Sequence, residues 1–319
     1  MKYDICGLGT LAADVLMTVD QLPGADSFSM VQHTENQPGG SGTNTIVQAA
    51  RLGSRCAYVG AIGNDSPGET VKTSLESEGV DTAYLYVRPG EVTTHTEIVV
   101  DQKGQKFILL IMGDAFFKLR LNTEDRKAIH ASKVFFTDLL PGWAAMSGLK
   151  EAYYSDAKIA MALEIGISLF KELGVTEEQI KESLKYAHLL MPCKDAVREL
   201  TGTTEPLEAG RRLREYCPHG VIVLTLGDDG SFAFTPDGGI YRTPAVSVKA
   251  VDTTGAGDSF FGALMHSYLV REVPIEEALK YASVCAALTC TGLGARFKPE
   301  GGYPKDVEEA LRWYESLQK

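Results

Sequence analysis

Apolar and polar positions along the chain alternate between two patterns, one typical of strands and one typical of helices. Short apolar runs are separated by stretches in which apolar residues recur at helical spacing. This order predicts an α/β fold on a mostly parallel sheet, because parallel strands need a crossover, usually helical, between them. The predicted strands of this sheet are residues 3–8, 56–62, 133–138, 158–163, 188–191 and 221–226.

Four further extended segments occur in two pairs, and the two segments of each pair have no helical pattern between them. They are residues 15–19 with 28–34, and residues 95–100 with 106–112, the last two joined by a hairpin-like turn at 101–104. We expect them to form a small sheet that projects from the body as a lid, approximately residues 14–36 and 93–113. No repeat or low-complexity linker interrupts the chain. The sequence therefore predicts a single domain over residues 1–319.

Composition narrows the function classes only moderately. The chain has 319 residues, of which 44% are hydrophobic and 23% charged, as in an ordinary globular protein. A net charge of −11 argues against a general nucleic-acid or anionic-membrane surface. There is no run of about 18 or more apolar residues and no apolar leader segment, so we expect no membrane partner and a cytoplasmic location. The six cysteines are scattered, which favours reduced buried thiols.

The segment 251–260 carries the strongest chemical signal. Gly255, Ala256 and Gly257 let the backbone approach a ligand at the start of a predicted helix, where unpaired N–H groups favour an anion such as phosphate. Asp258 follows at once, and a carboxylate beside an anion site can accept a proton from an attacking hydroxyl. The Walker A spacing is absent. A glycine-rich turn whose aspartate only caps the helix remains the alternative for so short a pattern.

The longer string Asp-Thr-Thr-Gly-Ala-Gly-Asp-Ser-Phe at 252–260 resembles the C-terminal signature of the PfkB (ribokinase-like) carbohydrate kinases. An N-terminal counterpart is also present: a Gly-Gly-x-x-x-Asn motif at 39–44, Ala-Arg-Leu-Gly at 50–53 and a glycine-rich turn at 60–68. The resemblance runs essentially from Tyr3 to the C-terminal helix. It implies a ribokinase-like three-layer α/β/α sandwich with a small β-sheet lid, and Asp258 as the catalytic base.

The resemblance also implies roles for individual positions, each of which would otherwise be an ordinary turn or cap residue. In substrate binding it implies Asp14, Asp26, Gly39, Gly40, Asn44, Lys106 and Glu164. In nucleotide binding it implies Thr225, Gly227, Gly230 and Ser283. Asp252 and Thr254 fall in the segment that helps to hold a monovalent cation such as K⁺ in several relatives. ATP and Mg²⁺ are the implied cofactors.

One departure from the family pattern concerns magnesium. The usual Asn-x-x-Glu motif is replaced by Cys193 and Ala196, neither of which supplies an oxygen ligand. Asp195 or Glu199 could substitute. The local string and Glu164 resemble the ketohexokinase-like branch, which favours a ketose substrate.

These observations leave three hypotheses for the function. The first is an ATP-dependent sugar kinase, acting on a small sugar such as a ketose. The second is a nucleoside kinase of the same family, which an apolar substrate lining would favour. The third is a catalytically degenerate sensor of sugar or nucleotide, favoured by the missing magnesium motif. In this family the lid often pairs with a second copy, so we also expect a homodimer through the lid.

Overall fold

The structure is a computed structural model that describes residues 1–317. The strands are β1 Tyr3–Leu8, β2 Ala12–Val19, β3 Val31–Gly39, β4 Cys56–Tyr58, β5 Gly60–Gly63, β6 Leu85–Arg88, β7 His95–Val100, β8 Lys106–Ile111, β9 Ser132–Thr137, β10 Lys158–Leu163, β11 Leu189–Pro192, β12 Val221–Thr225, β13 Ser231–Phe234 and β14 Ile240–Thr243.

The helices follow the strands in the alternating order that the sequence predicts. They are α1 Ser41–Arg51, α2 Ser66–Ser77, α3 Asp114–Phe117, α4 Thr123–His130, α5 Gly142–Tyr153, α6 Ile167–Glu172, α7 Glu177–Leu184, α8 Lys194–Thr201, α9 Pro206–Leu213, α10 Ala256–Leu264, α11 Ile275–Thr289 and α12 Val307–Leu317. A π-helical stretch, Met265–Val270, continues α10.

The central sheet has eight strands in the order β14-β13-β12-β11-β10-β9-β1-β4. All neighbouring pairs are parallel except β12–β13 and β13–β14 at one edge. Helices α4 and α5 pack together on strands β1 and β9, whereas α1, α10 and α11 pack together on the opposite layer. Because both faces are covered, β1 is buried along its whole length, including Asp4. The predicted three-layer sandwich is confirmed.

The predicted strand 56–62 is wrong as a single element. The chain forms β4, which pairs with β1, and then β5, which leaves the central sheet and pairs with β6. The change of partner occurs at Gly60, where a Cβ atom would lie 2.6 Å from a methyl carbon of Leu11. Residues 56–62 form one apolar run in the sequence because both strands are buried.

The lid is a four-stranded sheet in the order β3-β2-β7-β8. Strand β3 runs over Val31–Gly39 rather than the predicted 28–34. It therefore leads directly into the Gly39–Gly40 turn and helix α1. Strand pairing places Asp14, Thr96 and Gln37 side by side on one face. Gln37 Oε1 comes within 3.8 Å of the Cβ position at Gly294, so this face is turned towards the segment beside the start of α10. We call it the cleft face of the lid.

The aspartate of the glycine-rich turn at 60–68 has a structural role. Asp65 caps α2 by accepting a hydrogen bond from the Gly68 N–H, at 2.9 Å. It also accepts one from the Thr93 N–H, at 2.8 Å. It therefore ties the start of α2 to the segment that leads into lid strand β7.

Candidate active site

The candidate site lies at the carboxyl edge of the central sheet, where ligands bind in open α/β folds. Asp138 follows β9, Glu164 follows β10 and Thr225 ends β12. Helix α10 begins over this edge, and the lid stands beside it. Residues from five distant parts of the chain are thus brought to one place.

The start of α10 has the geometry of an anion site. Gly255 has a left-handed backbone with φ of 77°, and a Cβ atom there would lie 2.4 Å from the Ala295 carbonyl oxygen. Gly257, by contrast, has nothing within 4 Å of its Cβ position and faces open space. The Ala256 N–H donates to the Thr253 carbonyl at 3.2 Å, so it is already engaged. The Gly255 and Gly257 amides are therefore the better candidates to meet a phosphoryl group.

Asp258 lies in the first turn of α10 and is only 6% exposed. Its Oδ2 accepts a hydrogen bond from Asn44 Nδ2 at 2.8 Å. Burial raises the pKa of the Asp258 carboxyl, while the Asn44 hydrogen bond and the charge of Arg296 act in the opposite direction. A carboxylate whose pKa lies closer to neutrality is a better proton acceptor from a hydroxyl.

Two more carboxyl groups surround Asp258. Asp138 is 1% exposed and accepts from the backbone N–H groups of Thr10 at 2.7 Å and Leu140 at 3.1 Å. Burial raises the pKa of Asp138 to about 6. Burial, and then the neighbouring Asp258 and Asp138 charges, raises the pKa of Glu164 well above its ordinary value. Glu164 Oε1 is buried and has no hydrogen-bond partner among the described residues.

The sequence analysis missed Asp138 and Arg296. The available signal for Asp138 was its place at the end of a predicted parallel strand, where site residues gather. Arg296 had no local signal, because its contact with Asn44 spans 252 positions of the chain. Its Nε donates to Asn44 Oδ1 at 2.7 Å.

The predicted substrate residues divide into those near the cleft and one that is apart. Asp14 is partly buried on the cleft face and accepts a hydrogen bond from the Thr96 hydroxyl. Gly39 lies against it, with its Cβ position 2.7 Å from Asp14 Oδ2. Lys106 is exposed at the outer end of the lid, on the same face as Asp14. Asp26 is exposed in a turn with φ of 57°, and it has no site partner among the residues that the structure describes.

Gly40 holds the turn from lid to helix. It has φ of 86°, and a Cβ atom would lie 2.7 Å from the Ala12 nitrogen. Only glycine fits this close approach, which brings Asn44 of α1 next to Asp258.

The predicted nucleotide residues line one cavity of about 530 Å³. Thr225, Gly227, Gly230 and Ser283 all face it, together with Gly257. At Gly230 a Cβ atom would lie 2.0 Å from the Thr243 carbonyl oxygen, so the tight strand-to-strand turn requires glycine. Ala286 and Ala287, small residues of α11 like Ser283, also line it.

A second cavity of about 650 Å³ adjoins the first through Thr225, Gly227 and Gly257. Glu164, Cys193 and Lys194 line it. Ala196 is fully buried, so its position faces the core.

The two suggested substitutes for the magnesium motif are engaged elsewhere. Asp195 pairs with Arg198 at 2.9 Å. Glu199 accepts from the Ser168 N–H at 2.7 Å. The carboxyl groups among the residues that line this cavity are those of Glu164 and Asp229, and Glu164 is the buried one.

Asp252 and Thr254 form a local turn at the mouth of the site. Asp252 Oδ1 accepts from the Thr254 N–H at 2.9 Å and from its hydroxyl at 2.7 Å, and Oδ2 accepts from the Gly294 N–H at 2.9 Å. The Thr254 N–H and, more weakly, the Lys106 charge lower the pKa of Asp252. These bonds account for the turn, and a K⁺ ion at this position stays a prediction.

Comparison with known proteins decides the family. The model of the "pfkB family carbohydrate kinase" matches residues 2–300. The chain belongs to the pfkB family of carbohydrate kinases. A mouse protein named ribokinase is 32% identical over 287 residues, which is 86% of this chain and 84% of the mouse protein. The chain is accordingly an ATP-dependent carbohydrate kinase of the pfkB family.

Solved structures confirm the pfkB-type fold. Arabidopsis thaliana ribokinase complexed with ribose and ATP superimposes with a TM-score of 0.83 at 21% identity, covering 98% of this chain and 99% of that one. A putative ribokinase II from E. coli in complex with ATP and Mg²⁺ gives a TM-score of 0.78 at 20% identity, covering 98% and 99%. Within the described residues, no helix is long and apolar enough to cross a membrane.

Proposed function

We propose that this pfkB kinase transfers the γ-phosphate of ATP to a hydroxyl group of a small sugar, with Asp258 as the general base. The observation that carries the proposal is the position of Asp258. It is a buried carboxyl group in the first turn of α10, directly after Gly257, which borders both cavities. A hydroxyl held beside it could give up its proton while it attacks a phosphorus atom at the helix start.

The glycine backbone would supply the charge stabilisation. The Gly255 and Gly257 amides at the start of α10 add hydrogen-bond donors and the positive end of the helix dipole. Phosphoryl transfer needs mainly such positioning and electrostatic stabilisation. The adenosine part of ATP would lie in the cavity formed by Thr225, Gly230 and Ser283.

Magnesium fits the second cavity through Glu164. A buried carboxylate oxygen without a partner is costly unless a cation or a donor meets it. Glu164, directly or through water, is therefore the residue that would hold Mg²⁺ in place of the Asn-x-x-Glu motif. When bound, the ion neutralises charge on the ATP phosphates.

Sugar binding would use the cleft face of the lid together with the start of α1. Asp14 has two oxygens that can accept from sugar hydroxyls, and its Thr96 contact fixes its orientation. Asn44 and the Gly39–Gly40 backbone lie between Asp14 and Asp258. Closure of the lid would exclude water from the reacting phosphate, which limits ATP hydrolysis. Lys106 and Asp26 stay predicted contacts of the closed lid.

A nucleoside is the second candidate substrate class, because one observation favours it. Strand pairing places Leu16, Ile98 and Ile108 in a row on the cleft face, next to the polar row of Asp14 and Thr96. A substrate with a sugar at Asp14 and a flat apolar group against this row would use both. The predicted ketose preference also stays open beside ribose, the sugar named for the similar mouse and Arabidopsis proteins.

The lid also supports the proposed homodimer. Edge strand β8 exposes Phe107, Ile108, Leu109 and Leu110 to solvent. An exposed apolar edge strand favours pairing with another chain. Light scattering of the purified protein tests this directly: a dimeric mass supports pairing, and a monomeric mass at micromolar concentration contradicts it.

The proposed activity is tested by ADP release with Mg-ATP across ketoses, aldoses including D-ribose, nucleosides and phosphorylated sugars. Strong stimulation by one compound, with the phosphorylated product seen by mass spectrometry, supports the proposal and identifies the substrate class. Repeating the assay in KCl and in NaCl tests the K⁺ prediction. The absence of stimulation by every compound, at saturating ATP, contradicts the proposal.

A further inference from the structure

Arg296 is the most extensively bonded cation near the candidate base. It lies on the segment between α11 and α12 and is partly buried. Its Nε donates to Asn44 Oδ1, and its Nη1 donates to Ser74 Oγ, both at 2.7 Å. Its Nη2 donates to the Gly39 carbonyl at 3.1 Å and to Thr43 Oγ1 at 2.7 Å. Nε and Nη2 therefore hold the turn from lid strand β3 to helix α1, and Nη1 ties this turn to helix α2.

These bonds decide which way the Asn44 amide points. A guanidinium group only donates hydrogen bonds, so the Asn44 atom that faces Arg296 must be the oxygen. The NH₂ group then faces Asp258, where it donates to Oδ2 at 2.8 Å. If Arg296 were absent, the Asn44 oxygen would lose this donor, and the amide would be held by Asp258 at its NH₂ end alone.

The charge of Arg296 acts in the same direction. The charged and titratable groups that face Asp258 are Asp138 after β9, Glu164 after β10, and Arg296. The contacts from the adjacent helices are uncharged: α1 brings Ser41 and Asn44, and α11 brings Thr289 to Ser259 at 2.8 Å. Arg296 is thus the cation that offsets two carboxyl groups around the proposed base.

We propose that Arg296 is a positioning residue for phosphoryl transfer, because it fixes the Asn44 amide and, through it, the Asp258 carboxylate. This inference rests on the proposed role of Asp258. It goes beyond that role by assigning a function to a residue that touches neither the cavities nor the expected reacting atoms.

The test compares Arg296→Gln and Arg296→Lys with the wild-type protein. Turnover is measured with Mg-ATP and D-ribose, or with the most active compound of the panel above, between about pH 5 and pH 9. Arg296→Gln should lower kcat about 10- to 100-fold, as expected for a misplaced catalytic group, with little change in the KM for ATP. Because removal of the cation raises the pKa of Asp258, the acid limb of the kcat profile should move to higher pH.

Arg296→Lys separates charge from geometry. It keeps a cation but cannot bond Asn44, Gly39 and Thr43 at once, since an ammonium lacks the planar fork. We expect its acid limb to stay near the wild-type position while kcat falls. Ser74→Ala is the matched control, because it removes one Arg296 contact and leaves the Asn44 contact and the charge in place. It should lower the thermal midpoint only slightly and leave both kcat and the acid limb unchanged.

The proposal is overturned if the Arg296 variants that fold keep the wild-type kcat and acid limb, whatever happens to their thermal midpoints. If Arg296→Gln does not fold, Arg296→Lys decides by its kcat. If neither folds, Arg296 serves the fold alone and the proposal is wrong. A wild-type protein without kinase activity would overturn the proposed function itself. An active wild type with an inactive Asp258→Asn variant and normal Arg296 variants would overturn only the role of Arg296.

Discussion

The carbonyl oxygen of Ala295 lies 2.4 Å from the position that a Cβ atom would take on Gly255. Two residues further on, Gly257 has open space at the same point. The two glycines of one motif are therefore required for different reasons. Gly255 is needed by the fold, and Gly257 leaves open space at the start of α10, where we propose that the phosphates bind.

This difference predicts opposite effects of two alanine substitutions. Gly255→Ala should lower the free energy of unfolding by about 1–3 kcal/mol or more, because φ is positive and the methyl meets a backbone atom. Gly257→Ala should keep or slightly raise stability, by up to about 1 kcal/mol, since alanine is the better helix former. Its methyl enters the space shared by the two cavities, so kcat/KM for ATP should fall at least about tenfold.

Chemical denaturation and steady-state kinetics of the two variants check this pair. Normal kinetics in a stable Gly257→Ala protein would show that the phosphate of ATP does not approach the start of α10.

Asp14 and Asp26 lie in different environments, and substituting them should affect the KM for the sugar to different extents. Asp14 is held on the cleft face by Thr96, whereas Asp26 is exposed at a turn. Asp14→Asn should raise the KM for the sugar about 10- to 100-fold, because a lost hydrogen bond to a charged group is worth roughly 1.5–3 kcal/mol. The KM for ATP should change little.

Asp26→Asn is the matched control for this measurement. If Asp26 contacts the sugar in a closed lid, as the family resemblance implies, the KM of Asp26→Asn for the sugar rises as well. An effect of Asp26→Asn larger than that of Asp14→Asn would contradict the geometry described here.

The cavity that we propose for the nucleotide predicts a selective effect at Ala286. This small residue of α11 lines the cavity, and Ala286→Phe would fill part of its 530 Å³ without disturbing the lid. The KM for ATP should rise at least about tenfold, since a bulky side chain excludes the ligand from its pocket. The KM for the sugar serves as the internal control, and an increase in that value alone would show that this cavity does not hold the nucleotide.

Glu164 predicts a pH-dependent change in stability. Its pKa is raised above the ordinary 4.5, so the folded state keeps its proton over a range of pH in which the unfolded state has lost it. Stability therefore falls as the pH rises through that range. Glu164→Gln removes this loss, and it should make the ligand-free protein more stable at about pH 8.

The stability gain should shrink as the pH falls and disappear below about 4.5, where both states become protonated. Thermal melts across this range measure it, with Glu172→Gln as a control because Glu172 is exposed. A gain that is constant with pH, or equal in the control, would contradict a buried carboxyl group with a raised pKa.

The sequence predicted those parts of the site whose residues lie close together along the chain. The segment 252–260 predicts a helix start and a carboxylate in its first turn, and both are present in the structure, whereas the anion site stays a prediction. The Gly39–Asn44 turn is equally local. The alternation of strands and helices predicted the central sheet for the same reason, because each strand shows its burial in its own residues.

The remaining features depend on contacts between distant segments. The break between β4 and β5 reflects the choice of a different partner strand, which the apolar run 56–62 cannot encode by itself. Asp138 joins the site because β9 lies next to β1 and β10 in the sheet. Arg296 reaches Asn44 only after α1, α10 and α11 have packed together.

The central claim is that Asp258 accepts the proton from the attacking hydroxyl, and Asp258→Asn tests it most directly. Asparagine keeps the size of the side chain but cannot take the proton. Turnover should fall by about 10²–10⁴-fold, the usual contribution of a general base, while calorimetry shows ATP binding close to that of the wild type. A folded Asp258→Asn protein that binds ATP and turns over at nearly the wild-type rate would contradict the claim.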